Sequence, residues 1–287
     1  MWAASLSFGE DGITMPVRHD SWPEGTPCWI DAQVRDVSAA ADYYASLFGW
    51  EVEDAGEAAG HYHLARLGGE VVAGIGPQPA DSRDGPATWT TYLAADDVDA
   101  TAARITEAGG QLLMPPFDVM DQGRLAVAAD TSGAVFGVWQ AGRRSGITRF
   151  SEHGADVWNE LHTHAYDDAR AFYAAVFGYH YVDIGNDEFT YCTIHPAPDA
   201  REIGGISDSA GADPDSSGSS GSAAAGHWLA WFASDDVDAT TERAVALGGT
   251  ALAEPADSGF GRMSVVAGAQ GEVFGIIAAP PEADPPA

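Results

Sequence analysis

Two stretches of the chain repeat one pattern of apolar and polar positions. In the first, an alternating run from Trp29 to Val34 gives way to apolar residues at Ala40, Tyr44, Leu47 and Phe48. Alternation is the period of a strand, and the spacing i, i+4, i+7, i+8 is one face of a helix. The second copy runs from Trp158 and carries Ala169, Tyr173, Val176 and Phe177 on the same face. The offset between the copies is 129 residues throughout. Ser38 and Asp167 stand where an N-cap acceptor is wanted. Gly49 and Gly178 stand where a left-handed C-terminal residue costs least. A constant register over Trp29–Trp50 marks an internal repeat, not two chance helices.

The rest of the chain fits around this unit. Residues 61–67 and 70–76 read as strands separated by Gly68 and Gly69. Residues 77–87, rich in Pro, Asp and Gly, read as a connector. A second unit opens at Thr88 with a strand over 89–95. A capped helix follows from Asp96, with Val98, Ala102 and Ile105 on one face and Gly109 as the stop. Strand-like runs at 111–114, 123–129 and 134–140 follow, the last two joined by a turn at Asp130–Gly133. This unit recurs as well: Trp89 and Trp228 are 139 apart, Val135 and Val273 138 apart. The offset grows by about ten because residues 207–225 are inserted, a Ser/Gly/Ala/Asp stretch without periodicity that reads as a flexible loop.

The expected class is therefore α+β, built from four βαβββ-like modules near 26–76, 88–142, 154–206 and 226–278. They pair into two half-open cup domains, 26–142 and 154–278, with the helices outside. An irregular leader (1–25), a linker (143–153) and a Pro- and acid-rich tail (279–287) complete the chain, and Met15 is a second candidate start.

Composition narrows the function. Apolar residues make up 45% of 287, enough for packed cores in about two domains. Thirteen basic against 43 acidic residues give a net charge of −30, which argues against nucleic acid and anionic membrane as partners. The acids are scattered, as on a solvated surface. Cys28 and Cys192 occupy non-equivalent places in the repeat and read as reduced, buried thiols. No secretory signal or membrane-length apolar run is present, so a cytoplasmic protein is expected, as a monomer or a homodimer.

The order of these motifs resembles the vicinal oxygen chelate superfamily, the fold of glyoxalase I, bleomycin-resistance proteins and extradiol dioxygenases. The residues that carry it are Phe172, Tyr173, Phe177 and Gly178; Tyr43, Tyr44, Phe48 and Gly49; the helix starts at Asp96 and Asp235; and Asp130–Gly133 with Phe136 and Gly137. It covers about 26–278 except the insert. The chain is most similar to the two-domain actinobacterial group labelled glyoxalase-like or hydroxylase-like, which brings antibiotic biosynthesis or resistance into view.

In metal-using members, the resemblance implies four inward positions per cup that hold His, Gln or Glu. Motif alignment puts Asp31, Gly74, Thr90 and Gly137 there in the first domain, and Glu160, Gly205, Leu229 and Gly275 in the second. A divalent metal needs three or four converging donors. Each cup offers one carboxylate and two glycines, so no metal and no other cofactor is expected.

Strand parity then indicates what lines the cups. Trp29 and Gln33 share the face of Asp31, Tyr92 that of Thr90, and Val135 and Trp139 that of Gly137. The expectation is an aromatic-walled first cup around one carboxylate, with glycines opening floor space; ordinary core packing is the alternative. Trp89 is a further stacking candidate, out of phase with Thr90. In the second cup, Glu160, His162 and His164 share one face, and His227 and Trp231 share that of Leu229. Glu160 and His162 form a candidate acid–base pair, and Glu160, His162 and His227 a non-standard metal set. Walker A, dinucleotide and nucleophile-elbow motifs are absent. Asp42, Glu51 and Glu53 read as solvated charges. The expected function is metal-independent binding of a flat apolar or aromatic small molecule, such as a natural product or antibiotic, for sequestration or delivery. The alternatives are a metal-independent isomerase, cyclase or hydroxylase-like enzyme using Glu160 and His162, and a divergent metal-dependent lyase or dioxygenase.

Overall fold

The alternating and helical periods fold as their spacing requires. The computed structural model describes residues 17–79, 85–186, 189–208 and 225–278. In chain order the first domain contains β1 (Pro27–Val34), α1 (Val37–Phe48), β2 (Glu51–Asp54), β3 (His63–Leu67), β4 (Glu70–Pro77), β5 (Thr88–Ala94), α2 (Val98–Glu107), β6 (Gln111–Val119), β7 (Gly123–Ala129) and β8 (Val135–Ala141). The second contains β9 (Asp156–Thr163), α3 (Tyr166–Phe177), β10 (His180–Asp183), β11 (Tyr191–His195), β12 (Gly204–Asp208), β13 (His227–Ala233), α4 (Val237–Ala246), β14 (Thr250–Ser258), β15 (Gly261–Ala267) and β16 (Val273–Ala278). Each domain is one eight-stranded mixed sheet, in the orders β2-β3-β4-β1-β5-β8-β7-β6 and β10-β11-β12-β9-β13-β16-β15-β14. The class is α+β, with two cup-like domains in tandem.

Gly49 (φ 73°) and Gly178 (φ 72°) close their helices in the left-handed conformation, as expected. The N-caps differ from the expectation. Asp36, not Ser38, caps α1 by accepting from Ala39 N, and α3 starts after Ala165, leaving Asp167 inside its first turn. Both helices begin two residues earlier than expected, which adds Val37 and Tyr166, one turn before Ala40 and Ala169, to the faces packed on the core.

The two sheets meet through their convex faces: β5 packs directly on β13, and α1 and α2 pack on α4 and α3. Ile30, Tyr44, Phe48 and Trp89 of the first domain pack with Phe232, Val237 and Phe274 of the second. Leu93, Ile105 and Phe136 pack likewise with Leu161, Tyr173 and Trp228. A tyrosine sits at the centre of each cluster. Tyr44 accepts from Trp89 Nε1 at 3.0 Å and donates to Glu272 at 2.8 Å. Tyr173 accepts from Trp228 Nε1 at 2.8 Å and donates to Asp130 at 3.2 Å. Trp89 is therefore core between the domains and not a ligand wall, as its opposite phase to Thr90 requires. The residues of the other parity are left for the concave faces.

Residues 17–25 and 143–153, in the expected irregular leader and linker, are hydrogen-bonded to each other and to the first sheet. Arg18 N donates to Thr148 O, Gly25 N to Ala94 O, Ile147 N to Cys28 O, and Trp22 packs edge-on against Phe150. Ser207 and Asp208, expected to open the insert, instead pair in β12 with His162 and Thr163. Residues 1–16 with Met15, most of the insert (209–224) and the tail (279–287) lie outside the described residues. Both cysteines are buried and free. Among the described residues no helix is long and apolar enough to cross a membrane.

Candidate functional site

The concave face of each sheet is organised by a carboxylate on its central strand. In the first domain β1 runs parallel to β4 and antiparallel to β5, which sets Asp31 beside Gly74 and Thr90. Gly137 on β8 stands beside Tyr92 and not beside Thr90. The four floor positions are therefore Asp31, Gly74, Tyr92 and Gly137. In the second domain the same register gives Glu160, Gly205, Trp231 and Gly275, with Trp231 in the place expected for Leu229.

The glycines do not open floor space. A Cβ on Gly74 would lie 1.8 Å from the Tyr62 hydroxyl, and one on Gly137 would lie 1.8 Å from the Tyr92 ring. Gly205 and Gly275 are covered in the same way by Tyr191, at 1.9 Å, and Trp231, at 2.1 Å. Each glycine makes room for an aromatic ring inside the cup. Tyr62 and Tyr191 were not anticipated from the sequence. They lie one repeat offset of 129 apart, so carrying the register of the first strand on to the third would have found them.

In the first cup, Tyr62 and Tyr92 each donate to Asp31 Oδ2 at 3.0 Å, and Trp29 Nε1 donates to the Tyr62 oxygen at 3.1 Å. Burial pushes the Asp31 carboxyl up to about 6, against the hydrogen bonds of Tyr62, Tyr92 and Gln33, which favour its charge. Burial first, and then the Asp31 charge, keep both phenols protonated as donors. Trp29, Asp31, Thr90, Tyr92 and Trp139 are all buried, and Gln33 is half-buried. Trp29, Tyr92 and Trp139 pack in one cluster with Tyr62, Leu64 and Leu125. The expected aromatic walls are thus in contact with one another around Asp31.

The second cup repeats this plan with polar differences. Tyr191 donates to Glu160 Oε2 at 3.0 Å, and Trp158 Nε1 donates to the Tyr191 oxygen at 3.0 Å. Burial, then the Glu160 charge, raises the Tyr191 phenol. His162 takes the place of Gln33, with Nε2 2.7 Å from Glu160 Oε1, and its ring stacks parallel on His227 at 5.1 Å. The His162 and Glu160 side chains are 23% and 12% exposed, so the pair is within reach of solvent. Trp158 is half-buried where its twin Trp29 is buried, and Phe260, 47% exposed, lies against Tyr191. Trp231 replaces Tyr92 without its hydrogen bond: its indole N–H is buried with no partner among the described residues. His164 does not join this site. β9 ends at Thr163, whose hydroxyl accepts from Ala165 N, and His164 is exposed beyond it.

Neither floor fits a divalent cation. Three of the four positions in each cup carry a glycine or an aromatic ring, and the rings occupy the volume beside the carboxylate. Among the described residues, no three His, Cys, Asp or Glu side chains converge as a metal set. Two hollows lie at the cup margins. One, of about 180 Å³, is lined by Trp22, Ala95, Trp139 and Gln140. The other, of about 200 Å³, is lined by Tyr166, Asp183, Phe189 and Tyr191.

Comparison with known proteins agrees with the fold. The Glyoxalase/Bleomycin resistance protein/Dioxygenase superfamily matches residues 28–138 and 157–276. CFP32 of Mycobacterium tuberculosis, whose name carries a provisional glyoxylase label, is 40% identical over 272 residues, 93% of this chain and 100% of its own. DnrV of Streptomyces peucetius, named an anthracycline biosynthesis protein, is 37% identical over 268 residues, 88% of this chain and 93% of its own. Among solved structures, the Mn(II)-bound glyoxalase of Novosphingobium aromaticivorans superposes with a TM-score of 0.60 at 19% identity, covering 89% of this chain and 82% of its own. The 2,3-dioxygenase LapB of Pseudomonas sp. KL28 gives 0.60 at 11% identity, covering 91% and 95%. At such identities these two establish the fold alone.

Proposed function

The chain belongs to the Glyoxalase/Bleomycin resistance protein/Dioxygenase superfamily, and from that premise we propose that it binds a flat aromatic small molecule in its second cup without a metal. The observation that carries this reading is the Trp231 indole N–H, buried in the cup with no partner among the described residues. A buried donor left unpaired costs about 1–3 kcal/mol, which a carbonyl or phenol oxygen on a guest would offset. Trp158, Tyr191 and Phe260 supply ring faces for stacking, and Glu160 and His162 supply polar contacts at one end. The relatives named for anthracycline biosynthesis favour a polycyclic aromatic guest. Sequestration, or delivery to a tailoring enzyme in the cytoplasm, is the role this implies. The first cup, with its walls in mutual contact, serves as the scaffold of its domain.

A titration of the purified protein with a hydroxyanthraquinone, read by tryptophan fluorescence, tests the reading. Saturable quenching with the compound recovered unchanged is the expected result. Absence of binding, or one equivalent of Mn, Fe, Ni or Zn in the purified protein, would sink it.

One observation favours a second reading. The 2.7 Å contact of His162 with Glu160 is the geometry of an oriented general base. An isomerase or cyclase would use His162 to take a proton from a bound substrate and return it at another atom, with Glu160 holding the imidazolium. Turnover of the anthraquinone that disappears in Glu160→Gln, with affinity retained, would select this reading over simple binding.

A further inference from the structure

We propose that the mouth of the first cup is a separate binding site for an oxyanion group, a carboxylate or a phosphate, held between Arg66 and Arg144. The protein has thirteen basic residues, all arginine, against 43 acidic ones. Its long-range field repels anions, so an anion site has to be built from local contacts. Arg104, Arg124, Arg143, Arg149, Arg170 and Arg262 each have a carboxylate oxygen within 3.1 Å. Arg144 has none among the described residues: its guanidinium lies 5.6 Å over the Trp29 ring, with the neutral Gln122 Oε1 at 3.4 Å. Its backbone is pinned on both sides, since Arg144 N donates to Gln122 O and Arg144 O accepts from Trp139 Nε1 at 3.1 Å.

Arg66 reaches the same place from the sheet. Along β3 it shares the concave parity of Tyr62 and Leu64, and it pairs with Val71, which packs with Trp29. Its Nη1 donates to Gly69 O at 3.1 Å, and its Nε is 3.8 Å from Glu53, a long contact to a carboxylate that is 72% exposed. Burial, and then the charge of Arg66, disfavour the charged form of Arg144. Arg144 over the Trp29 ring and Arg66 on the same side of the sheet are both half-buried, and their like charges repel, which an anion bound between them would relieve. Their forks suit a carboxylate or phosphate through paired hydrogen bonds. The second domain does not repeat the device: the residue one offset from Arg66 is His195, whose ring nitrogens bond Thr193 and Ala200 O. The site is independent of whether the second cup takes a guest.

Calorimetric titration of the full chain with benzoate and with phenyl phosphate, at constant ionic strength, tests this. Saturable binding of either compound is expected, and which one binds assigns carboxylate or phosphate. Arg144→Gln and Arg66→Gln should each weaken it roughly tenfold or more. Arg143→Gln, altering an exposed arginine paired with Asp121, should leave it unchanged. Melting temperatures without probe identify a variant that fails to fold, in which case the other variant decides. Lack of saturation by both compounds, or equal affinity in the folded variants, overturns the proposal.

Discussion

The Tyr62 ring lies across Gly74, so that a methyl group on that glycine would fall 1.8 Å from the phenolic oxygen. No small adjustment clears such a contact, because the same ring holds Asp31 and Trp29 by hydrogen bonds. Gly74→Ala is expected to destabilise the chain by about 1–3 kcal/mol, the usual range for overpacking. Gly205→Ala should do the same against Tyr191. In a Tyr62→Leu background, Gly74→Ala should cost much less. Urea denaturation of the four chains measures the coupling, and additive costs would show that the ring does not set the requirement for glycine.

Two buried carboxyls give stability a defined dependence on pH. Burial lifts Asp31 to about 6 and Asp156 to about 8, the latter opposed by hydrogen bonds from Asn159. A carboxyl whose folded value exceeds its unfolded value binds more protons in the native state. Its contribution is complete below about pH 4 and is lost as pH rises through the folded value. The window is about 4–6 for Asp31 and about 4–8 for Asp156. Asp156→Asn mimics the protonated group and removes its share of the slope. The variant should therefore gain on the wild type as pH rises toward 8, by an amount on the order of a few kcal/mol. Melting curves at several pH values would show this, and a constant difference would contradict it.

The contact between domains has its own test. Tyr44 connects the Trp89 N–H to Glu272, and Tyr173 connects the Trp228 N–H to Asp130. Tyr44→Phe leaves an indole donor and a carboxylate short of a partner in a buried interface, an expected loss of about 1–3 kcal/mol. Tyr173→Phe should lose a comparable amount. Because both tyrosines lie on the convex side, neither variant should change ligand affinity in the second cup.

Much of this fold was legible because repeated periods are local signals. The Tyr44 and Tyr173 helix faces, their glycine stops and the strand parity follow from spacing alone. The floor positions were harder. Parity has a period of two, so a slip of two residues leaves a side chain on the same face, and Thr90 was assigned where Tyr92 stands opposite Gly137. Only the hydrogen-bond register separates the two. The glycines misled for a different reason: a missing side chain signals close approach, but composition does not say whether a guest or the protein's own Tyr62 makes it. His164 kept the right parity but fell beyond the last paired residue of its strand, a boundary that alternation does not mark.

Two tryptophan N–H groups set the cups apart. Trp231 has a buried N–H without a partner among the described residues, whereas the Trp29 N–H is spent on Tyr62. If a guest accepts a hydrogen bond in the second cup, Trp231→Phe keeps the ring face and removes only the donor. Affinity for the hydroxyanthraquinone should then fall about fivefold, the worth of one hydrogen bond near 1 kcal/mol. Trp29→Phe should leave affinity unchanged while lowering stability, because the Tyr62 oxygen loses a donor in a packed interior. The reverse pattern, with affinity following Trp29 and indifferent to Trp231, would move the guest to the first cup.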